Sequence, residues 1–392
     1  MRGGSTNLFG SGIEEGLALT RRVDPKYGPV WDGRAPAEQA AMAWYFLPHG
    51  SSKPTLGPTR PRVIKWYCPF ADQREFPSGH RYCINVYTGC EHQCEYCYAA
   101  GYANTRLLAA GGQVDARPKE NFPRLLQKDL QDLERFDVPP APLHLSNSTD
   151  PFQPLEANLG HARLALEQVL AHRNRFTTVT VLTKNPMLAV SRNYIDLFHS
   201  LVELPTDHPR REEFARIGQP GFCIEVSLAF WRDEAKAAYE HNSPHVQDRL
   251  DGIRAIRAAG IPLALRIDPL FPRSPFGEGS TRTLAHFGLT EAQTLDDLAS
   301  LVQFAKEVGA RYVVYSPAKI VQPRSRPLSD TMQAMRQAYE FMAAPQRLIF
   351  RGGAWRLPAD VANSQIVKPF LDICHREGVP ARGCKHNLLG TP

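Results

Sequence analysis

The chain has 392 residues, which is long enough to bury a large core in one or two domains. Its composition is that of an ordinary globular protein, and its 33 prolines indicate many ordered loops. The formal charge of +6 is too small to demonstrate a nucleic-acid partner. The first residues lack the apolar core of a signal peptide, and no run of about 18 apolar residues occurs. We therefore expect a cytoplasmic protein that does not enter the membrane.

Residues 1–80 are rich in glycine, proline and arginine. One helix is predicted at Ala35–Phe46, and the basic, proline-punctuated stretch KPTLGPTRPRVIK follows it. This composition predicts an N-terminal Gly/Pro-rich arm or cap. We place the main domain at 81–345 and a C-terminal extension at 346–392.

From Tyr82 onward, short β-branched or apolar runs alternate with segments of helical period, which is the pattern of repeated βα units. The six predicted strands are Tyr82–Val86, Leu143–Ser146, Thr178–Leu182, Phe222–Leu228, Leu263–Asp268 and Arg311–Tyr315. Helical spacing is clear in LEANLGHARLALEQVLAH and in VQDRLDGIRAIRAAG. No dinucleotide-type glycine fingerprint follows the first strand, so the sequence favours an α/β fold with a partial (β/α)6 barrel over a doubly wound sheet.

The first predicted strand leads into TGCEHQCEYCYAAGY, which spaces Cys90, Cys94 and Cys97 as C-x3-C-x2-C. Active sites of βα barrels lie at the carboxyl ends of the strands, where this loop falls. Three thiolates in one short loop can bind three irons of a [4Fe–4S] cube and leave the fourth iron open. A structural zinc ion is the alternative, but zinc normally needs four close ligands. The spacing therefore favours an iron–sulfur cluster.

This loop, with an aromatic residue directly before its last cysteine, resembles that of the radical S-adenosylmethionine (SAM) superfamily. Within the superfamily the chain is most similar to the spore photoproduct lyase, or SplB-like, family, often labelled DNA repair photolyase. The matching segments are NVYTGCEHQCEYCYA, SNSTDPFQPLE, VLTKN, IEVSLAFW and IRAAGIPLALRIDPLFP. The resemblance implies that SAM binds the open iron and is cleaved reductively to a 5′-deoxyadenosyl radical. It also implies a reductant such as flavodoxin or ferredoxin, and a lyase-type reaction on a nucleic-acid base.

The resemblance assigns cofactor contacts to residues near the ends of the predicted strands. Lys184 and Ser227 are similar to the pair that binds the methionyl carboxylate of SAM, for which a cation and a hydroxyl donor are suited. The backbone of Tyr96 matches the adenine-binding position. The candidates for the methionyl amino group and the ribose are Ser146, Asn147 and Asp150. The segment SNSTDP is equally typical of a turn that caps the next helix.

Two residues are candidates for the reaction itself. Tyr98 follows the last cysteine of the loop and faces the substrate or packs against its neighbours. Arg266 ends the fifth predicted strand beside Asp268, where a substrate contact and a structural salt bridge are both open. The hydrogen-donating cysteine of the resembled family has no counterpart between Cys97 and Cys223. The donor would then be Tyr98 or a cysteine distant in sequence.

The remaining candidates lie outside the matching segments. A second cluster or a zinc ion is predicted from outlying cysteines and histidines. These residues are Cys68, Cys83, Cys374, Cys384, His375 and His386. For an anionic substrate, the candidate contacts follow the sixth predicted strand. They are Tyr315, Ser316, Lys319, Arg324 and Arg326.

Three functions stay open on the sequence alone. The first is a radical SAM enzyme that repairs or modifies a nucleic-acid base. The second keeps the radical chemistry and moves it to a peptide or small metabolite. The third is a non-catalytic module with zinc in the cysteine loop.

Overall fold

The computed structural model describes residues 63–65, 82–101, 116–135, 140–146, 148–276, 280–323 and 327–384. The predicted helix at Ala35–Phe46 and most of the predicted arm lie outside these residues. Alternating strands and helices follow from Tyr82 onward, as the sequence predicted. Within the described residues, no helix has the length and apolar character needed to cross a membrane.

The described strands are β1 (Ile64–Lys65), β2 (Tyr82–Ile84), β3 (Tyr87–Thr88), β4 (Arg117–Pro118), β5 (Ala141–Leu145), β6 (Phe176–Thr183), β7 (Phe222–Ser227), β8 (Leu263–Leu270), β9 (Val313–Pro317), β10 (Ile320–Val321), β11 (Ile349–Arg351), β12 (Ala354–Arg356) and β13 (Ala381–Gly383). The α-helices are α1 (Phe122–Arg135), α2 (Glu156–Leu159), α3 (His161–Ala171), α4 (Pro186–Ser191), α5 (Ile195–Val202), α6 (Arg211–Arg216), α7 (Asp233–Tyr239), α8 (Val246–Ala258), α9 (Leu295–Glu307), α10 (Asp330–Ala343), α11 (Ala359–Ala362) and α12 (Lys368–Glu377). A π-helix at Asn363–Val367 joins the last two helices.

An eight-stranded sheet forms the centre, in the order β1, β2, β5, β6, β7, β8, β9, β13. The seven strands from β2 to β13 run parallel, and β1 pairs antiparallel at one edge. The α/β barrel-type fold and its six predicted strands are therefore confirmed. The seventh parallel strand, β13, comes from the segment predicted as a C-terminal extension, where Arg382 pairs with Val314 of β9.

Glycines end or interrupt two of the predicted helices. The helix expected after the second barrel strand is divided into α2 and α3 at Gly160, which has a φ of 62°. Helix α8 is followed by Gly260, whose φ of 73° is the left-handed conformation that favours glycine at a helix end. The helix predicted there is confirmed.

The parallel strands have one apolar and one polar face. On β7, Ile224 and Val226 belong to the hydrophobic core, while Glu225 and Ser227 alternate with them. The register places Ser227 beside Arg266 on β8. Because side chains alternate across a strand, the polar residues share the inner face of the partial barrel. This inner face leads to the carboxyl ends of the strands.

Candidate active site

The cysteine loop follows β3 and leads into a 3-10 helix at Tyr98–Gly101. Its three cysteines are thiols outside any disulfide, and each is partly buried. The end of α7 holds the loop in place, because the amide of Glu95 donates to the carbonyl of Tyr239 at 2.9 Å. Cys94 also forms an isolated antiparallel bridge with Glu240. Backbone contacts therefore fix the middle of the loop that carries the thiols.

Burial raises the pKa of the Cys90 thiol well above its ordinary value, and the charges of Asp150 and Cys94 raise it further. Burial likewise raises the pKa of Cys94, although the cation of Lys184 opposes this effect. Such thiols need bound positive charge to become thiolates, which iron would supply. No three His, Cys, Asp or Glu side chains in the described part of the chain surround one point as ligands of a single ion. The ligands of an iron–sulfur cluster bind separate irons and need not converge on one point.

Lys184 and Ser227 follow β6 and end β7, and the structure brings them together. The Lys184 ammonium donates to Ser227 Oγ at 2.8 Å, to the Tyr96 hydroxyl at 2.9 Å and to Glu240 Oε1 at 2.8 Å. An ammonium group has three donors, so all of them are engaged. The Ser227 hydroxyl accepts from Lys184 and keeps its own proton for another acceptor. A bound carboxylate would accept a hydrogen bond from that hydroxyl and would also contact the Lys184 ammonium.

Glu240 is a fully buried carboxylate at the centre of this group. Its Oε1 accepts from Lys184 and from the Tyr96 hydroxyl. Its Oε2 accepts from the Ser243 hydroxyl at 2.9 Å and from the Arg249 guanidinium. Burial alone would raise the pKa of Glu240, but the charges of Arg249 and Lys184 outweigh it and hold that pKa well below its usual range. Glu240 is therefore an ionised carboxylate beside the cysteine loop.

Asp150 uses both carboxylate oxygens within the chain. Oδ1 accepts from the Phe152 amide at 2.9 Å and the Thr183 hydroxyl at 2.7 Å. Oδ2 accepts from the Lys184 amide at 2.6 Å and lies 3.1 Å from His92 Nε2. Although burial would raise the pKa of Asp150, His92 and the hydrogen-bond donors lower it. Asp150 thus makes the predicted turn and ties the cysteine loop to β6; its contact with ribose stays a prediction.

Three buried polar groups beside the loop have no hydrogen-bond partner in the described part of the chain: Ser146 Oγ, Thr149 Oγ1 and Gln153 Nε2. The other end of Gln153 is attached to the loop, since its Oε1 accepts from the Glu91 amide at 2.8 Å. Buried groups of this kind normally bind water or a ligand. They suit a ligand with amino and hydroxyl groups, so the residues present fit SAM. Asn147 lies outside the described residues.

Arg266 lies on the inner face and makes the salt bridge that the sequence left open. Its guanidinium donates to Glu225 Oε2 and to Asp268 Oδ2, both at 2.7 Å, and lies 3.1 Å from Cys384 Sγ. The Ser316 hydroxyl donates to Asp268. Burial raises the pKa of the Cys384 thiol to about 11. Cys384 is therefore a neutral thiol on the inner face and is distant in sequence from the cysteine loop.

Tyr98 begins the 3-10 helix after the last cysteine of the loop. Lys319 Nζ, a predicted contact of an anionic substrate, lies 5.6 Å from the centre of the Tyr98 ring. Tyr315 lies elsewhere, because its ring packs against Phe370 at a centroid distance of 5.5 Å. Tyr315 belongs to the hydrophobic core, and its contact with an anionic substrate stays a prediction. Outside the described residues lie Arg324 and Arg326.

The predicted second metal site is not supported. Cys83 lies on β2 and Cys384 follows β13, near opposite edges of the central sheet. Cys374 is buried in the hydrophobic core on α12. Within the described ranges, no three potential ligands converge on one ion. The described outlying cysteines thus fill separate positions of the fold, while Cys68 and His386 lie outside those ranges.

Sequence reasoning missed Glu225, Glu240 and Arg249. Glu225 interrupts the apolar strand FCIEVS at an alternate position, which is typical of a polar inner face. Arg249 falls on the buried side of α8 between Val246 and Ile253, and a buried cation needs an anionic partner. Glu240 follows a short helix without any motif, so no local pattern indicates its role.

No family model matches the chain. Among curated proteins, an uncharacterized protein of Mycobacterium tuberculosis is 29% identical over 195 residues, which cover 49% of this chain and 50% of the relative. An uncharacterized protein of Methanocaldococcus jannaschii is 23% identical over 197 residues, covering 50% and 62%. The chain therefore spans about half to three fifths of the length of these relatives.

Among solved structures, a mutant of spore photoproduct lyase is 13% identical with a TM-score of 0.49, covering 83% of this chain and 80% of that one. Spore photoproduct lyase complexed with a dinucleoside spore photoproduct gives 13% identity, a TM-score of 0.48 and the same coverage. A radical SAM methyltransferase of Kitasatospora setae, with 13% identity and a TM-score of 0.38, covers 66% of this chain and 39% of that chain. The chain is thus similar to these structures over most of its length, at low identity. At such identities and TM-scores we infer the function from the residues of the site.

Proposed function

We propose that the protein is a radical SAM enzyme that holds a [4Fe–4S] cluster on Cys90, Cys94 and Cys97. The observation that supports this most is the position of three cysteine thiols at the carboxyl edge of a parallel sheet, beside the Lys184–Ser227 pair. Chains of this architecture have their reactive sites at that edge. A lone structural zinc ion would not require a cation and unpartnered polar groups next to it.

The residues of the site have distinct tasks in this proposal. When bound, the cluster supplies the electron that cleaves SAM. Ser227 and Lys184 bind the methionyl carboxylate, and Ser146 binds the amino group. Asp150 holds the cysteine loop against β6 through His92 and the Lys184 amide. The chain thus orients SAM between the loop and the inner face.

The cluster is tested by replacing one of its ligands. We expect Cys94→Ala to abolish formation of 5′-deoxyadenosine and to lower the iron content, because one iron loses its ligand while the hydrophobic core stays intact. The measurement is anaerobic reconstitution with iron and sulfide, reduction, addition of SAM and quantification of 5′-deoxyadenosine. Cys223→Ala, on the inner face of β7, is the matched control and should retain iron. SAM cleavage by the Cys94 variant, or zinc in place of iron in the purified protein, would refute the proposal.

We further propose that the substrate is a nucleic-acid base. Strands β11 and β12 form a hairpin whose outer residues Ile349 and Phe350 are 47% and 52% exposed. Arg347 and Arg351 are exposed beside them, and the Phe350 ring lies 4.6 Å from that of Trp355. Aromatic rings beside arginines suit stacked bases and phosphates. This hairpin favours a nucleic acid over a small metabolite.

Binding of single-stranded DNA and RNA oligonucleotides, followed by fluorescence anisotropy, tests this substrate class. We expect Kd to rise steeply with salt, because each arginine–phosphate contact releases counterions. Phe350→Ser should weaken binding by about fivefold or more, since stacking contributes about 1–3 kcal/mol per base. Ile217→Ser, at an exposed apolar residue on another surface, should not. If both variants bind the oligonucleotides equally well, or if the unmutated protein binds none at low salt, a peptide or metabolite is favoured as the substrate.

A further inference from the structure

Arg249, Glu240 and Lys184 form a charged cluster, and their side chains differ in exposure to solvent. The side chains of Arg249 and Glu240 are 1% and 0% exposed, whereas that of Lys184 is 15% exposed. Lys184 is therefore the member that a ligand can reach. Arg249 acts on a ligand only through the residues between them.

Two cations share one carboxylate in this group. The Lys184 ammonium and the Arg249 guanidinium each donate to a different oxygen of the Glu240 carboxylate. Two paired cations and one carboxylate together carry a single positive charge. Lys236 lies one helical turn before Glu240 and is unchanged in every variant considered below, so it does not affect the comparison.

Arg249 also fixes the end of the strand that carries Ser227. Its Nη1 donates to the Ser227 carbonyl at 3.2 Å, and its Nε donates to the Pro244 carbonyl at 3.2 Å.

A pair of only Lys184 and Glu240 would be neutral and would attract a carboxylate weakly. With Arg249 present, Glu240 orients the ammonium without cancelling its charge.

On the basis of the proposed function, we propose that Arg249 is a positioning residue for the carboxylate of SAM. It offsets the charge of Glu240 at Oε2, while Lys184 contacts Oε1. The positive charge of Lys184 therefore remains available to the ligand. Its contribution is confined to ligands that carry a carboxylate. A purely structural arginine would instead affect every ligand of the site alike.

The test compares SAM with decarboxylated SAM, whose Kd values are measured by equilibrium dialysis on the reconstituted, unreduced protein. For Arg249→Met we expect SAM to bind about tenfold more weakly or worse, because a buried unit charge acts through an effective dielectric constant of about 20. The Kd of decarboxylated SAM should change by less than about twofold, since this ligand lacks the carboxylate that the charge attracts. Arg249→Lys keeps the charge and should largely restore SAM binding.

The double variant Arg249→Met with Glu240→Gln separates charge from packing. It removes one cation and one anion, so the single positive charge returns and SAM affinity should recover to within about threefold of the unmutated protein. Replacement of a buried ion pair by uncharged residues is often tolerated. If Arg249→Met does not fold, the double variant and Arg249→Lys decide the question, with iron content and thermal unfolding as checks.

The inference is overturned if Arg249→Met leaves the Kd of SAM unchanged or weakens both ligands equally. It is also overturned if the double variant folds and binds decarboxylated SAM normally, but its affinity for SAM does not recover. These outcomes differ from failure of the proposed function, in which the unmutated protein binds neither iron nor SAM.

Discussion

Arg173 joins several elements without an anionic partner among the described residues. It is 4% exposed, and its guanidinium donates to the carbonyls of Phe176, Thr177, Leu201 and Gly221. Burial lowers its pKa to about 10. These carbonyls lie at the starts of β6 and β7 and near the end of α5, away from the cysteine loop. Arg173 therefore stabilises the opposite end of the partial barrel.

We expect Arg173→Met to lower the free energy of unfolding by about 2–4 kcal/mol, because it leaves buried carbonyls without donors. Urea unfolding followed by circular dichroism measures this loss. Arg216→Met, at an exposed position of α6, is the control and should change stability by less than about 0.5 kcal/mol. A loss no larger than that of the control would show that the guanidinium does not stabilise this end.

At the scale of elements, helix α8 lies close to helix α4. A Cβ placed on Gly252 would lie 2.6 Å from the Met187 amide and 2.9 Å from the Pro186 ring. Because the nearest atom belongs to the backbone, it cannot move aside like a flexible side chain. The sequence predicted α8 from its apolar spacing, but this spacing does not reveal how near another helix lies.

Gly252→Ala should therefore destabilise the protein by about 1–3 kcal/mol, since overpacking outweighs the better helix propensity of alanine. Thermal unfolding measures the change. The matched substitution is Ala258→Gly at the exposed end of the same helix, where lost propensity alone costs about 1 kcal/mol or less. Stabilisation by Gly252→Ala would mean that the two helices can separate without loss.

At the scale of the molecule, the sequence predicted the sheet well and the site only in part. Strand alternation and the spacing of Cys90, Cys94 and Cys97 are local patterns, so they can be recognised in one segment. The contact of Lys184 with Glu240 joins residues 56 positions apart, which no local pattern specifies. The seventh parallel strand was missed because β13 has three residues and the sequence ARG, which lacks an apolar run.

A chain that ends at Gly378 should lose stability and associate at high concentration, because β9 would then expose unpaired backbone groups. A chain that ends at Cys384 keeps β13 and should behave like the full chain. Thermal unfolding and light scattering across a concentration series distinguish the two. Equal behaviour of both shortened chains would show that β13 adds nothing to the sheet.

The position of β13 also affects how the protein is made. Strand β9 ends at Pro317, yet its neighbour begins only at Ala381, after α10, the β11–β12 hairpin and α12 have been synthesised. During translation the inner strands can pair in order as they leave the ribosome, while this last pairing waits for a distant segment. The emerging sheet therefore stays open on one side for a long part of synthesis. Early release or a stalled ribosome would leave a nascent chain that depends on chaperones.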